Sequence, residues 1–185
     1  MLTRPPRKTY RHGNVQAEAI TAAWRLIARA GHEALSVRQV ADAVGVAHRS
    51  LYNHFKDREA LLDAVATEAY LRLAKAVSGA QTREDFTARY VRFALANRRL
   101  YALMTSRPHG TMKFNPPLQT AVHKVITECM RLFTTPDQTS AERRRAVMKV
   151  FIIHFGGITQ YANGILDQPN EDGLVAELAA MTAGK

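Results

Sequence analysis

At 185 residues and a formal net charge of +10, the chain is long enough to bury roughly 70% of its unfolded surface in one or two compact domains, with no metal or disulfide required. Its one cysteine, Cys129, excludes an intramolecular disulfide, and without an apolar signal segment at the start the expected setting is a reducing cytoplasm. No apolar run approaches the roughly 18 residues of a membrane-spanning helix; the stretch from Val150 to Ile158 is interrupted by His154, Gly156 and Gly157, so no membrane partner is expected.

The charge is uneven. Up to Arg58 ten basic residues face four acidic ones, so less than a third of the chain carries more than half of the net charge. Such a block fits a polyanionic partner or a solubilising surface, and charge alone does not choose between them.

Residues 1–12 are basic, Pro-containing and aperiodic, which predicts a flexible arm; Arg4, Arg7, Lys8 and Arg11 fit a phosphate or a minor groove, or plain disorder. Asn14 is a good N-cap, and Val15, Ala19, Ala23, Ile27 and Ala30 recur at helical spacing until Gly31. Ser36 and Gln39 form a capping box for a short second helix, with Val40, Ala41 and Val44 on one face and Gly45 at its end. A third helix, about Ala47 to His54, keeps Leu51 and Phe55 inward. Asp57 then caps a long fourth helix with Glu59 in its first turn.

Two short helices across a Gly-containing turn form a helix-turn-helix, with Ala41 small where they cross. A plain helical hairpin wants similar inward residues. Its outer face would mix acids and bases, whereas here no acid stands between Asp42 and Asp57.

Beyond Leu61 the chain is built of long amphipathic segments. The fourth helix is expected to stop at Ser78-Gly79; Thr82 with Asp85 opens the next, which runs to Asn97; Leu100 to Met104 make a shorter element; Arg107 to Pro117 is a loop by composition. Leu118 to Phe133, Ser140 to about Leu166 and Leu174 to Met181 read as helices. The expected fold is all-α, divided into the arm at 1–12, a helix-turn-helix domain at 13–60 and a helical domain at 61–185. Gly156 and Gly157 cost roughly 2 kcal/mol in a lone helix, which marks the Ser140–Leu166 helix for a close approach and hence for dimerisation, with Leu174–Met181 beside it.

The segment LSVRQVADAVGVAHRSLYNHFKDREALL, Leu35 to Leu62, resembles the N-terminal domain of the TetR (tetracycline repressor) family of bacterial transcription regulators. The resemblance runs from about Asn14 to Ala64. It is carried by Ser36 opening the second helix, Ala43 and Gly45, Leu51-Tyr52-x-His54-Phe55, and Arg58, Glu59, Leu61 and Leu62 opening the next. Ala47 departs from it, since the family often has a Ser or Thr there. FALANRRLYALM and FIIHFGG resemble a subgroup named for a Trp-His-Gly triplet, but the Trp is missing, Phe155 separates His154 from Gly156, and Arg98 stands where a Pro is common.

The resemblance implies a homodimer that reads a near-palindromic site on double-stranded DNA and answers to a small-molecule effector. It places His48, Arg49 and Ser50 at base edges, and Tyr52, His54, Lys56, Arg58 and the Ser36 hydroxyl at phosphates; Arg38 fits either role. His54 and Tyr52 also suit structural packing. It implies an effector pocket lined by Tyr90, Phe93, Tyr101, Met104, Phe133 and Phe155, with His123 or His154 as orienting polar groups; ordinary core packing is the other reading of each.

No nucleophile elbow, dinucleotide fingerprint, P-loop, H-E-x-x-H or Cys-x-x-Cys occurs, and the seven histidines include no i, i+4 pair, so neither an enzyme nor a metal or cofactor is expected. The expectation is a cytoplasmic repressor released by an apolar ligand. The alternatives are a basic protein that coats DNA without sequence preference, or an adaptor dimer that has lost its DNA partner.

Overall fold

The structure, a computed structural model, describes residues 15–183. The arm at 1–12 and the Asn14 cap lie outside the described residues. Ten helical segments follow in order: α1 (Val15–Ala30), α2 (Val37–Val44), α3 (His48–Leu51), α4 (Arg58–Val77), α5 (Arg83–Ala96), α6 (Arg98–Thr105), α7 (His109–Met112), α8 (Pro116–Phe133), α9 (Ser140–Ala162) and α10 (Glu171–Thr182). The chain is all-α over the described residues.

Local chemistry explains most boundaries. Gly31 at φ +86° ends α1, its N–H on the Ile27 carbonyl at 2.8 Å. Ser36 Oγ accepts the Gln39 N–H while Gln39 Oε1 accepts the Ser36 N–H, which completes the reciprocal cap of α2. Gly45 closes α2 at φ +78°, a left-handed conformation that a Cβ opposes. Asp57 caps α4 through the Ala60 N–H at 2.7 Å.

The third helix is shorter than its sequence predicts. Ala47 has no side chain to cap it, and past Leu51 the backbone tightens into i→i−3 bonds at Tyr52, Asn53 and His54 before Phe55 returns to the Leu51 carbonyl. The predicted loop at 107–117 holds the α7 turn, and α8 opens two residues earlier than expected because Pro116 and Pro117 occupy first-turn positions behind the Asn115 cap. α9 stops at Ala162, four residues short of Leu166, where Asn163 and Gly164 at φ +70° break it. α10 starts at Glu171, capped by Asn170.

Two apolar clusters fill the interior. The first joins Ala23 and Ile27 of α1, Val40 and Ala41 of α2, Leu51 and Phe55 to the first half of α4, and continues across the expected 60–61 boundary into Leu100, Leu103, Leu118 and Val122. The second joins the rest of α4 to α5, α8, α9 and α10. Gly157 is where α9 meets α10: a Cβ there would lie 2.4 Å from Leu178 Cδ2, so this glycine serves a crossing within the chain, while a Cβ on Gly156 meets nothing within 4 Å.

The cap geometry at α3 makes a prediction. Ala47 already has extended N-cap dihedrals (φ −62°, ψ 137°). Ala47→Ser therefore raises stability by about 0.5–1 kcal/mol, and Gly45→Ala lowers it by about 1 kcal/mol through its backbone alone. Urea midpoints measure both; an unchanged or lower midpoint for Ala47→Ser sinks the account of the weak α3 start.

Candidate nucleic-acid interface and ligand cavity

The outward face of α2, α3 and the turn after α3 carries the expected reading residues. Ser36, Arg38, His48, Arg49, Tyr52, His54 and Lys56 are exposed and Ser50 is half-buried, while Leu51 beneath them is fully buried. His54 is not packed between helices. The His48 and Tyr52 rings meet edge to face, centroids 5.1 Å apart at 82°, which braces a four-residue helix that has no side-chain cap. Lys56 reaches Asp57 only at 3.9 Å in full solvent, a contact too weak to hold its charge.

Arg58, expected at a phosphate, is engaged elsewhere. Its Nε donates to the Leu35 carbonyl at 2.8 Å, its Nη2 to those of His32 and Glu33 at 2.5 and 3.2 Å, and its Nη1 to Glu59 Oε1 at 2.7 Å. One guanidinium thus ties the α1–α2 loop to the start of α4. Glu59 also accepts from Arg107 Nη1 at 2.8 Å, which is the main reason its carboxyl lies below the usual range, and Asp63 takes the same Nη1 at 3.3 Å.

Arg107 leads into a cavity of about 850 Å³ between α4, α6, α8 and α9. Of the eight residues the sequence placed at a pocket, Tyr90, Tyr101, Met104 and Phe155 line this one. The others are corrected by their surroundings. Phe93 is half-buried outside the lining. His123 is exposed and outside the lining. Phe133 packs edge to face on Phe86 at 5.5 Å and lines a separate hollow of about 250 Å³. His154 is buried behind Tyr90, its ring 5.1 Å away.

The His154 hydrogen bonds fix its tautomer. Nδ1 lies 2.7 Å from the Val150 carbonyl, which only accepts, so Nδ1–H donates and Nε2 is left to accept from the Thr87 hydroxyl at 3.2 Å. Burial pushes its pKa down to about 4, so the wall behind the cavity is neutral. Burial likewise pushes the Tyr101 hydroxyl up to about 12 and raises those of Tyr70 and Tyr90. All three remain protonated donors; Tyr70 gives its proton to the Met104 carbonyl at 3.1 Å, and Tyr90 and Tyr101 pair at 3.4 Å. The Cys129 thiol, also raised to about 12 by burial, is an inert core group.

Sequence reasoning missed Arg107, Tyr70 and the residues Arg144, Met148 and Phe151 of α9, which form one stripe with Phe155. The stripe was legible, because it recurs every three or four residues. Arg107 was hidden in a stretch read as loop.

A capped helix-turn-helix with an acid-free outward segment, set on an all-helical body that encloses an apolar cavity, defines a DNA-binding regulator of transcription. The comparisons narrow the class. Residues 19–65 match the model of the bacterial regulatory proteins of the tetR family. The tetracycline repressor protein class C of Escherichia coli is 30% identical over 177 residues, covering 91% of this chain and 77% of that protein. A protein of unknown function from Rhodococcus sp. RHA1 superposes with a TM-score of 0.74 at 29% identity, over 95% of this chain and 97% of its own. A TetR transcriptional regulator from the same organism shares the fold, with a TM-score of 0.68 at 17% identity over 94% and 98% of the two chains. The chain belongs to the TetR family. No described helix is long and apolar enough to cross a membrane.

His154 sets an expected pH dependence. The unfolded chain takes up this proton near 6.5 and the folded one only near 4. The contribution is therefore whole above 6.5 and is lost as pH falls from there to about 4, by about 3 kcal/mol in full. Thermal melts across that range should show the advantage of the native chain over His154→Gln shrinking on acidification; a constant gap contradicts a neutral buried imidazole.

Proposed function

We propose that the protein is a repressor that binds a near-palindromic operator as a homodimer and is released by a small, substantially apolar molecule held in the cavity. The observation that carries the DNA half is the exposed run from His48 to Lys56, polar outward and without an acid. In this reading His48, Arg49 and Ser50 meet base edges in a major groove, with Arg49 forking onto guanine O6 and N7. Tyr52, His54, Lys56 and the Ser36 hydroxyl hold phosphates, and Arg38 joins either set. Arg58 is left out of the contact set, because its donors already bind carbonyls and Glu59.

Dimerisation is supported by apolar side chains on the outer face of α9 and near α10. Ile152 and Phe155, at the rim of the cavity, are 64% and 47% exposed, and Ile165 and Met181 are 68% and 52% exposed. Two recognition helices must also enter grooves roughly 34 Å apart, which one copy cannot do. Release requires that the ligand favour a dimer with mis-spaced reading heads. α4 supplies the route, since its first turn holds Arg58 and Glu59 and its later turns flank the cavity.

Selection from a random duplex pool at about 150 mM salt, where weak phosphate contacts are strongly penalised, tests the reading. One enriched near-palindrome with half-sites about a helical turn apart is expected. An unenriched pool would replace the regulator with a protein that coats DNA. On the selected site, Arg49→Ala should cost about 1–3 kcal/mol and relax one base position, while Lys56→Ala should weaken all sequences alike and lower the salt slope by about one. Identical effects of the two variants would refute the division between base and phosphate contacts.

A further inference from the structure

The cavity has an apolar body but a one-signed set of charges. Its lining includes Arg107, Arg143 and Arg144 and no Asp or Glu. Arg143 is fixed by the carbonyls of Gln138 and Pro136, at 3.0 and 3.1 Å, and Arg144 is exposed beside it. The decisive group is Arg107, whose side chain is only 11% exposed.

A guanidinium offers two edges to a carboxylate. On Arg107 the Nη1 side is taken by Glu59 and Asp63. The side-on edge, made by the Nε and Nη2 hydrogens, is nearly bare: Nη2 has Ser106 Oγ at 3.4 Å, and Nε is buried with no acceptor among the described residues. A buried charged donor without an acceptor is costly, and filling the cavity with a purely apolar molecule leaves that cost in place. A carboxylate is the group whose two oxygens match that fork.

We propose that the cavity selects amphipathic carboxylic acids, with the apolar body among Tyr101, Met104, Val125 and Phe151 and the carboxylate on the side-on edge of Arg107. Because Nε is buried, the acid reaches it by a turn of the planar guanidinium that gives up the two long contacts, Ser106 Oγ at 3.4 Å and Asp63 at 3.3 Å. This rests on the reading of the cavity as an effector site and adds the chemical class of its ligand. Tyr90 and Tyr101 share one hydrogen bond, which leaves one of their two hydroxyl hydrogens to donate to an acid.

The test uses the full chain and three ligands with one tail: dodecanoate, dodecanol and dodecyltrimethylammonium, each displacing the neutral fluorophore Nile red near neutral pH. Dodecanoate should displace at roughly ten- to hundredfold lower concentration than dodecanol, the range expected for one charged hydrogen-bonded pair, and the cation should be weakest. Arg107→Gln should erase the difference between acid and alcohol, read as the ratio of the two displacing concentrations within that variant. Where that variant does not fold, Asp63→Asn carries the test: removing the competing acceptor should tighten dodecanoate and not dodecanol. Equal binding of acid and alcohol, or a tighter cation, overturns the carboxylate proposal and leaves the cavity reading intact. Nile red binding that a folded Ile126→Trp variant does not weaken overturns the cavity reading and this proposal together. A preference lost in Arg144→Gln and kept in Arg107→Gln overturns the assignment to Arg107.

Discussion

The structure depends on one helix belonging to two cores. α4 gives Leu61, Leu62, Val65 and Ala66 to the cluster beneath the helix-turn-helix, and Ala69, Leu73, Ala74 and Val77 to the cluster of the larger body. Neither cluster is complete without it. A rigid rod of twenty residues, roughly 30 Å long, therefore fixes where the reading segment sits relative to the cavity wall. The polar ties reinforce the same geometry: Arg58 clamps the α1–α2 loop to the start of α4, and Arg99 of α6 donates to the carbonyls of Ala28 and Arg29 at the end of α1.

How much of this was legible in the sequence follows from what each feature depends on. The caps at Ser36, Asp57 and Thr82, and the stops at Gly31, Gly45 and Gly79, rest on bonds between near neighbours, and they fall where the sequence places them. The ends of α3, α8 and α9 differ because each turns on a competition the pattern does not weigh: an Ala without a cap, prolines that open a helix instead of excluding it, and an Asn-Gly pair that stops one before its apolar run ends. The cavity was the least legible part. Tyr90, Tyr101 and Phe155 occur as aromatics on helices, as do Phe93 and Phe133, and only the rotation of each helix against its neighbours separates lining from filler.

Arg58 and Arg107 show why residue type was a poor guide to role among the cations. Both are arginines beside acids, one inside the family motif and one in an unpatterned stretch. The motif arginine is absorbed by backbone carbonyls thirty residues or fewer upstream, and the other reaches the cavity. Guanidinium donors can serve a fold as readily as a ligand, and long-range carbonyl partners leave no trace in sequence.

The neutrality of the cavity's back wall gives its arginines their weight. Were His154 charged, its proton would lie one ring behind Tyr90 and would share any incoming anion with the front of the cavity. Burial removes that charge, outweighing the Nδ1–H bond to Val150, which by itself favours the protonated ring. The tyrosine hydroxyls are held protonated by the same burial. Formal charge in the lining is thus confined to the α6 end and the first turns of α9, where Arg107, Arg143 and Arg144 stand. Since Glu59 and Asp63 already take the Nη1 side of Arg107, its unfilled Nε edge, more than net charge, is what distinguishes that end of the cavity.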